Sequence, residues 1–146
     1  MNGELIYEYE LDLTEMVDFG ISLPAILSGE ATIPPQGARI DAGFDGRSNG
    51  RLSGRVHGID HLFVRADGRF ELNIRAIIET DDGHRIAMFA DGVAVPRANE
   101  PIADLSENVT LTTAAVSYSW VCARQIWATG TVNFVTGKIN IAGYMQ

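Results

Sequence analysis

Apolar and polar residues alternate along most of the chain, and turn sequences interrupt the alternation at regular intervals. Near the start, Leu5, Tyr7, Tyr9, Leu11 and Leu13 alternate with Glu8, Glu10 and Asp12. Successive side chains of a β-strand point to opposite faces, so this period predicts strands with one solvated face. Asp67-Gly68 and Asp82-Gly83 each stand between two such segments, and Asp-Gly is a strong hairpin signal. The pattern therefore predicts an antiparallel sheet.

Turn signals divide the rest of the chain into further strands. These are predicted at 31–45, 51–65, 69–80, 84–95, 109–121, 122–135 and 138–145. Residues 14–29 are predicted to form a loop, because Pro24 would break a helix there, and 96–107 are predicted to form a second loop. About eight short strands with almost no helix indicate a barrel or a sandwich. We expect an all-β fold, a single antiparallel closed barrel over residues 1–146.

The composition limits the class of protein. The 146 residues are the usual size of one domain, and a hydrophobic content of 46% is enough for a packed core. No apolar run approaches the ~20 residues of a membrane span, and the acidic start lacks the basic region of a signal peptide. A net charge of −8 disfavours nucleic acid and anionic membranes as partners. These features predict a cytoplasmic protein that binds neither nucleic acid nor membrane.

The last third of the chain carries no carboxylate side chain, because no Asp or Glu follows Glu107. Strands without carboxylates are typical of a sheet that is covered on both faces, and a neighbouring subunit is the simplest cover. We therefore expect a homo-oligomer, with a homodimer as the simplest case. Cys122 is the only cysteine, so the chain cannot form an internal disulfide, and we expect an inert thiol.

Two-residue loops at the two Asp-Gly pairs would set the register of the central hairpins. With a first loop of that length, Asp60 lies opposite Arg75, on a face that also carries Asn73. The same reasoning at the second hairpin places Met88 opposite Ile77. The sequence thus predicts a charged pair, Asp60 and Arg75, beside apolar neighbours.

Three segments resemble a known family: GRLSGRV at 50–56, DHLFVRADGRFELNIRAIIETDDGHRIAMFADG at 60–92, and Tyr118-Ser-Trp120. Together they resemble the bacterial and fungal family named domain of unknown function 3237, over most of the chain. That family is similar to the allene oxide cyclase type of barrel. The resemblance implies an eight-stranded closed barrel with a lumen, and it does not imply the reaction of that enzyme. Asp60 and Arg75 match the family's pattern.

The Asp60–Arg75 pair is the best candidate for chemistry. If it projects into a lumen, Arg75 would stabilise a carboxylate, enolate or phenolate, and Asp60 would hold Arg75 in place. The alternative is a structural ion pair that contributes little. His57 precedes a glycine, where a bulge could re-aim it, and it is a candidate proton carrier together with Tyr118. The spacing of the histidines does not resemble a metal site, so we expect no metal.

Four aromatic residues lie in the last third of the chain: Tyr118, Trp120, Trp127 and Tyr144. They could line a ligand cavity, with Asn73 and Met88 completing a substrate site, because rings supply apolar contact and their polar tips give direction. The same residue types also pack at subunit interfaces. The sequence leaves these two alternatives open.

The first functional hypothesis is an enzyme that needs no cofactor. It would be of isomerase, cyclase or lyase type and would act on a small apolar oxygenated metabolite in the barrel lumen. The alternative is a non-catalytic binding protein for a small hydrophobic ligand, and a third possibility is a structural barrel filled by side chains. A carrier needs no buried titratable group, so a desolvated Asp60, Arg75 or His57 would favour the enzyme.

Overall fold

Eight antiparallel strands close into a barrel in the computed structural model, which describes residues 2–146. Each strand pairs with its neighbours in the chain, and the last strand pairs back with the first. The strands are β1 (Glu4–Asp18), β2 (Ala38–Gly50), β3 (Gly54–Val64), β4 (Phe70–Thr80), β5 (Arg85–Pro96), β6 (Ile102–Thr112), β7 (Ile126–Asn133) and β8 (Lys138–Met145). The antiparallel all-β fold predicted from the alternation is confirmed, and so is the closed eight-stranded barrel that the family resemblance implies.

The segment predicted as a loop at 14–29 contains ordered structure. Strand β1 continues to Asp18, and a short helix, α1, spans Leu23–Ser28. The Ser22 side chain caps this helix by accepting a hydrogen bond of 3.3 Å from the backbone N–H of Ala25. Pro24 lies in the first turn, where its missing N–H is not needed, so it helps to begin the helix instead of breaking it.

The second predicted loop, 96–107, is also wrong in its later half. Strand β6 begins at Ile102, and its buried residues alternate with exposed ones in the way a half-buried strand requires. The predicted strand at 109–121 ends at Thr112, and a 3₁₀ helix spans Val116–Val121. Similarly, the strand predicted from 31 begins only at Ala38, after the two prolines.

The two central hairpins have three-residue loops, not the two-residue loops predicted. The N–H of Arg65 donates to the carbonyl of Arg69 at 2.9 Å, and the N–H of Thr80 donates to the carbonyl of His84 at 2.8 Å. Each loop ends on a glycine in the left-handed region, with φ of 90° at Gly68. A turn followed by such a glycine is the usual three-residue hairpin.

This extra loop residue shifts the register of both hairpins by one. Asp60 lies opposite Ile74, while Arg75 lies opposite Ile59. A shift of one residue moves a side chain to the other face of a sheet, so the predicted pairing of Asp60 with Arg75 is wrong. Met88 pairs with Ala76, not with Ile77 as predicted, and keeps an inward, buried position.

The two ends of the barrel differ. The end that holds the β2–β3 turn and the 3₁₀ helix is filled by fully buried side chains, including Leu52, Val121 and Ile6. At the opposite end, Leu23 of α1 borders an internal cavity. Over residues 2–146, neither helix is long and apolar enough to cross a membrane.

Candidate active site

A cavity occupies the barrel lumen, and the volume open to water inside it is about 70 Å³. Because one water needs roughly 10–15 Å³ by this measure, the space holds a few waters or a small ligand. Its lining is mostly aliphatic and aromatic, with side chains such as Leu62, Ile74 and Met88. Only three lining residues carry polar side chains with oxygen atoms: Tyr9, Asp60 and Glu107.

Asp60 projects inward from β3. The β3–β4 pairing is interrupted between Asp60 and Phe63, and the backbone N–H of Asn73 donates instead to Asp60 Oδ1 at 2.9 Å. Burial is the main influence on this carboxyl and raises its pKa to about 6, while the Asn73 hydrogen bond opposes the rise. Asp60 is therefore mostly ionised at neutral pH and holds a charge inside an apolar cavity.

Glu107 projects inward from β6 and is 7% exposed. Its neighbours across the strands are Gly92 on β5, which has no side chain, and Ala128 on β7, which has a small one, and both leave space for it. Burial raises the pKa of Glu107 to about 8, and the negative charge of Asp60 adds to the rise. Most Glu107 carboxyls are therefore protonated at neutral pH.

Tyr7 and Tyr9 stack against each other inside the barrel, with ring centroids 4.1 Å apart and planes 13° from parallel. Both are buried, and burial raises both pKa values above the ordinary range, so the hydroxyls stay protonated. The Tyr7 ring lies over Gly143, where an added Cβ would come within 2.1 Å of it. Only Tyr9 of the two borders the cavity.

Three polar atoms of this cluster have no hydrogen-bond partner within residues 2–146: Tyr7 Oη, Tyr9 Oη and Glu107 Oε2. Over the same residues, neither Asp60 nor Glu107 forms an ion pair, and no Lys, Arg or His side chain lines the cavity. The lumen thus combines one ionised carboxylate, one neutral carboxylic acid and a tyrosine hydroxyl. Such a set can accept a proton at one atom and donate one at another.

The structure separates the polar residues that the sequence grouped into a site. Arg75 lies on the outer face, where its guanidinium stacks on Phe89 at 3.9 Å and donates to Asn73 Oδ1 at 3.1 Å. His57 also faces outward, with Nε2 3.8 Å from Glu79 Oε1. Among the predicted site residues, only Asp60 and Met88 border the cavity.

The four aromatic residues lie outside the cavity. The Tyr118 hydroxyl donates to Asp82 Oδ1 at 2.8 Å. The Arg51 guanidinium lies over the Trp120 ring, with Cζ 3.8 Å from the ring centroid. Trp127 is 45% exposed and pairs with Tyr144 on the outer face of β7 and β8. The prediction that these rings line a ligand cavity is therefore wrong: β7 and β8 turn Trp127 and Tyr144 to the outer face, and Tyr118 and Trp120 belong to the 3₁₀ helix at the opposite, filled end of the barrel.

Sequence reasoning missed Glu107 and Tyr9 as site residues. Tyr9 belongs to the alternating apolar series of β1, and nothing in that series distinguishes it from a core residue. Glu107 was assigned to a loop, although it continues the inward series that runs through Leu105 and Val109. An acid on the apolar face of a strand was the signal that could have found it.

The described residues do not form a metal site. Within residues 2–146, no group of three or more His, Cys, Asp or Glu side chains could hold a metal ion. The absence of metal and cofactor therefore stays a prediction.

A family model described as "Protein of unknown function (DUF3237)" matches residues 10–144. The chain belongs to this family. None of the curated proteins matches the chain. The family name carries no activity, so it supports the barrel and leaves the chemistry to the lumen residues.

Solved structures share the fold at low sequence identity. A protein of unknown function from Clostridium acetobutylicum is 21% identical, with a TM-score of 0.79 over 99% of this chain and 97% of that one. A β-barrel-like protein from Acinetobacter baumannii is 20% identical, with a TM-score of 0.75 over 99% and 94%. A structure described as an enzyme from Penicillium herquei is 18% identical, with a TM-score of 0.62 over 99% and 94%. At these identities the likeness shows the fold alone.

Proposed function

We propose that the protein is a cofactor-independent enzyme of isomerase, cyclase or lyase type, acting on a small apolar oxygenated metabolite in the barrel lumen. The observation that carries this proposal is the presence of two inward carboxyls, Asp60 and Glu107, in a largely apolar cavity that no basic side chain of residues 2–146 lines. Buried acids without an ion-pair partner cost stability, so their presence in a cavity favours a catalytic role.

The two carboxyls suit opposite halves of a proton transfer. Environments that push the pKa values of two acids apart assign one as base and the other as acid. Asp60, with a pKa of about 6, is the base at neutral pH, and Glu107, with a pKa of about 8, is the acid. Asp60 would accept a proton from a substrate carbon, Glu107 would donate one to a substrate oxygen, and no electron acceptor is needed.

The apolar lining sets the substrate class. The hydrocarbon part of a small molecule would pack against the apolar lining and exclude water from the lumen. Its oxygen atom would then contact the three polar side chains. The structural neighbour described as an enzyme supports the view that a barrel of this kind can carry catalysis.

Hydrogen–deuterium exchange tests this proposal without a known substrate. Small ketones and aldehydes are incubated with the protein in deuterated water, and loss of the protons next to the carbonyl is followed by NMR. We expect catalysed exchange of at least one compound and a loss of about a hundredfold or more in Asp60→Asn, since general-base catalysis contributes 10²–10⁴-fold. Asp12→Asn, on the outer face of β1, is the matched control.

The pH profile gives a second readout in the same assay. Exchange should rise through the pKa of Asp60, about 6, and fall through that of Glu107, about 8, to give a bell with its maximum near neutral pH. Equal rates in wild type and Asp60→Asn would contradict the acid–base proposal. Binding without any exchange would favour the alternative, a carrier of a small hydrophobic ligand, which the largely apolar lining also suits.

We also propose that the chain forms a homodimer through the outer face of β7 and β8. Trp127 is exposed there beside Tyr144, and no carboxylate lies on either strand. In a chain of net charge −8, a face without carboxylates is where two copies meet with least repulsion. Light scattering should give twice the chain mass of 15.9 kDa, and a single-chain mass would contradict the proposal. The cytoplasmic location stays a prediction.

A further inference from the structure

Of the three oxygen-bearing side chains that line the cavity, Tyr9 and Glu107 each carry one hydroxyl that can donate a hydrogen bond at neutral pH, whereas the Asp60 carboxylate only accepts. Tyr9 Oη and Glu107 Oε2 are buried, lack partners within residues 2–146, and belong to side chains that border the cavity. A buried hydroxyl without a partner costs free energy comparable to a lost hydrogen bond. An acceptor that enters the lumen could satisfy both atoms.

The charge of the lumen restricts which acceptor can enter. Asp60 carries the negative charge, and within residues 2–146 no basic side chain lines the cavity to offset it. A carboxylate or phosphate ligand would bring a second negative charge into an apolar space, which is strongly unfavourable. An ammonium ligand would gain from Asp60, but it has no lone pair to accept the hydrogen bonds that Tyr9 and Glu107 can donate.

A carbonyl oxygen fits these constraints best. It is neutral, it has two lone pairs, and it can accept from a tyrosine hydroxyl and from a carboxylic acid at once. Donors placed at such an oxygen also stabilise the negative charge that develops there when a neighbouring carbon loses its proton.

We infer that Tyr9 and Glu107 form an oxygen site that binds the carbonyl group of a neutral, enolisable ketone or aldehyde and excludes carboxylates. This inference rests on the proposed function and specifies its substrate class. Asp60 takes a proton from the carbon next to the carbonyl, and the electron pair of that bond forms a carbon–carbon double bond. The carbonyl π electrons move to the oxygen, which Tyr9 and Glu107 hold. In a β,γ-unsaturated ketone the enolate is conjugated with the second double bond, so return of the proton from Asp60 to the far carbon moves that double bond and completes an isomerisation without oxidant or reductant; in a saturated ketone the proton returns to the same carbon and only exchange is observed.

Tyr7 provides a matched control for Tyr9. The two tyrosines are stacked on the same strand and are both buried, but only Tyr9 borders the cavity. Replacement of Tyr7 by Phe should leave ligand binding at the wild-type level, whereas the same change at Tyr9 removes one of the two donors. Because Tyr→Phe preserves the ring, both variants retain the packing over Gly143.

The test uses three small probes at pH 7: cyclopentanone, cyclopentylamine and cyclobutanecarboxylate. Binding is measured by NMR titration, and the carbonyl stretch of ¹³C-labelled cyclopentanone is measured by infrared spectroscopy. We expect cyclopentanone to bind more tightly than both charged probes, with its carbonyl stretch lowered by the two donors. Tyr9→Phe should weaken ketone binding about fivefold to tenfold, the loss of one hydrogen bond, and return the stretch part of the way to its value in water. Tyr7→Phe should do neither.

Several outcomes would overturn the inference. Tighter binding of the amine or the carboxylate, no binding of the ketone, or an unshifted carbonyl band would each contradict it, and these measurements need only the wild-type protein. A lowered carbonyl stretch without hydrogen–deuterium exchange would support the oxygen site and contradict the proposed catalysis. Exchange with an unshifted stretch would support the catalysis and contradict the oxygen site.

Discussion

Carboxyl groups inside the barrel and carboxyl groups on its outer face have opposite surroundings. On the outside, four aspartates each pair with an arginine from the same or a neighbouring part of the sheet: Asp41 with Arg39, Asp45 with Arg55, Asp81 with Arg47 and Asp104 with Arg97. Hydrogen bonds from these arginines lower the pKa of each aspartate. Inside, Asp60 and Glu107 have no such partner, and burial raises their pKa values.

The difference teaches which acids serve the structure. A surface acid that is paired with an arginine stabilises the fold slightly. A buried acid without an ion-pair partner destabilises the fold whenever it is ionised. The arginine side chains on the outer face cannot form ion pairs with the inner acids, because the sheet lies between them. The lumen therefore keeps two acids at a cost in stability, which is the usual mark of a functional site.

Glu107→Gln should give the largest change in stability. The folded protein holds the Glu107 proton up to pH about 8, while the unfolded chain releases it near 4.5. Stability therefore falls by about 1.4 kcal/mol per pH unit through this range. The glutamine variant removes this slope, and its free energy of unfolding at pH 9 should exceed that of wild type by a few kcal/mol, on the order expected for such a shift.

Urea denaturation at pH 5, 7 and 9 measures this effect. Glu8→Gln, at an exposed position of β1, is the matched control and should follow the wild-type curve. Parallel curves for wild type and Glu107→Gln across the three pH values would show that Glu107 is not held protonated by the fold.

Asp60→Asn should change stability in the same direction but by less. The pKa of Asp60 rises only to about 6 from its ordinary value of 3.8, so the wild-type stability falls over a narrower pH range. The asparagine retains an oxygen that accepts the Asn73 N–H, and it carries no charge. We expect a gain of at most about 3 kcal/mol at pH 8, from a shift of about two pKa units, which is smaller than the gain at Glu107. A loss of stability at pH 8 would mean that the charge of Asp60 has a stabilising partner.

Most of the fold could be predicted because period two requires no knowledge of loop geometry. The alternation in β1 and in the central hairpins places strands within a few residues of their observed bounds. The alternation alone leaves a barrel and a sandwich open, and the family resemblance implies the closed barrel. The errors fall in segments such as 14–29, where a capping serine and a first-turn proline begin a helix too short to show a periodic face.

The site could not be predicted with the same success, because side-chain direction depends on register. One extra residue in the loop ending at Gly68 separates Arg75 from Asp60 and turns it to the outer face. Asp-Gly occurs in two-residue and three-residue hairpins alike, so the sequence does not decide between them. Glu107 was lost for a different reason: the prolines and acids from 96 onward concealed the start of β6.

Asp41→Asn should have the smallest effect and the opposite sign. Hydrogen bonds from Arg39 lower the pKa of Asp41 to about 2, so this carboxylate stabilises the fold above the unfolded value near 3.8 and loses that effect as pH falls through 2. The Arg39 side chain is 49% exposed, and solvent screening limits the loss at pH 7 to below about 1 kcal/mol. Added salt should reduce the loss further. The double variant Arg39→Gln/Asp41→Asn isolates the pair. Suppose instead that Asp41→Asn raised the free energy of unfolding above that of wild type, by an amount that grew with pH as expected for Glu107→Gln. The acids inside the barrel and those on its outer face would then not differ in their effect on stability.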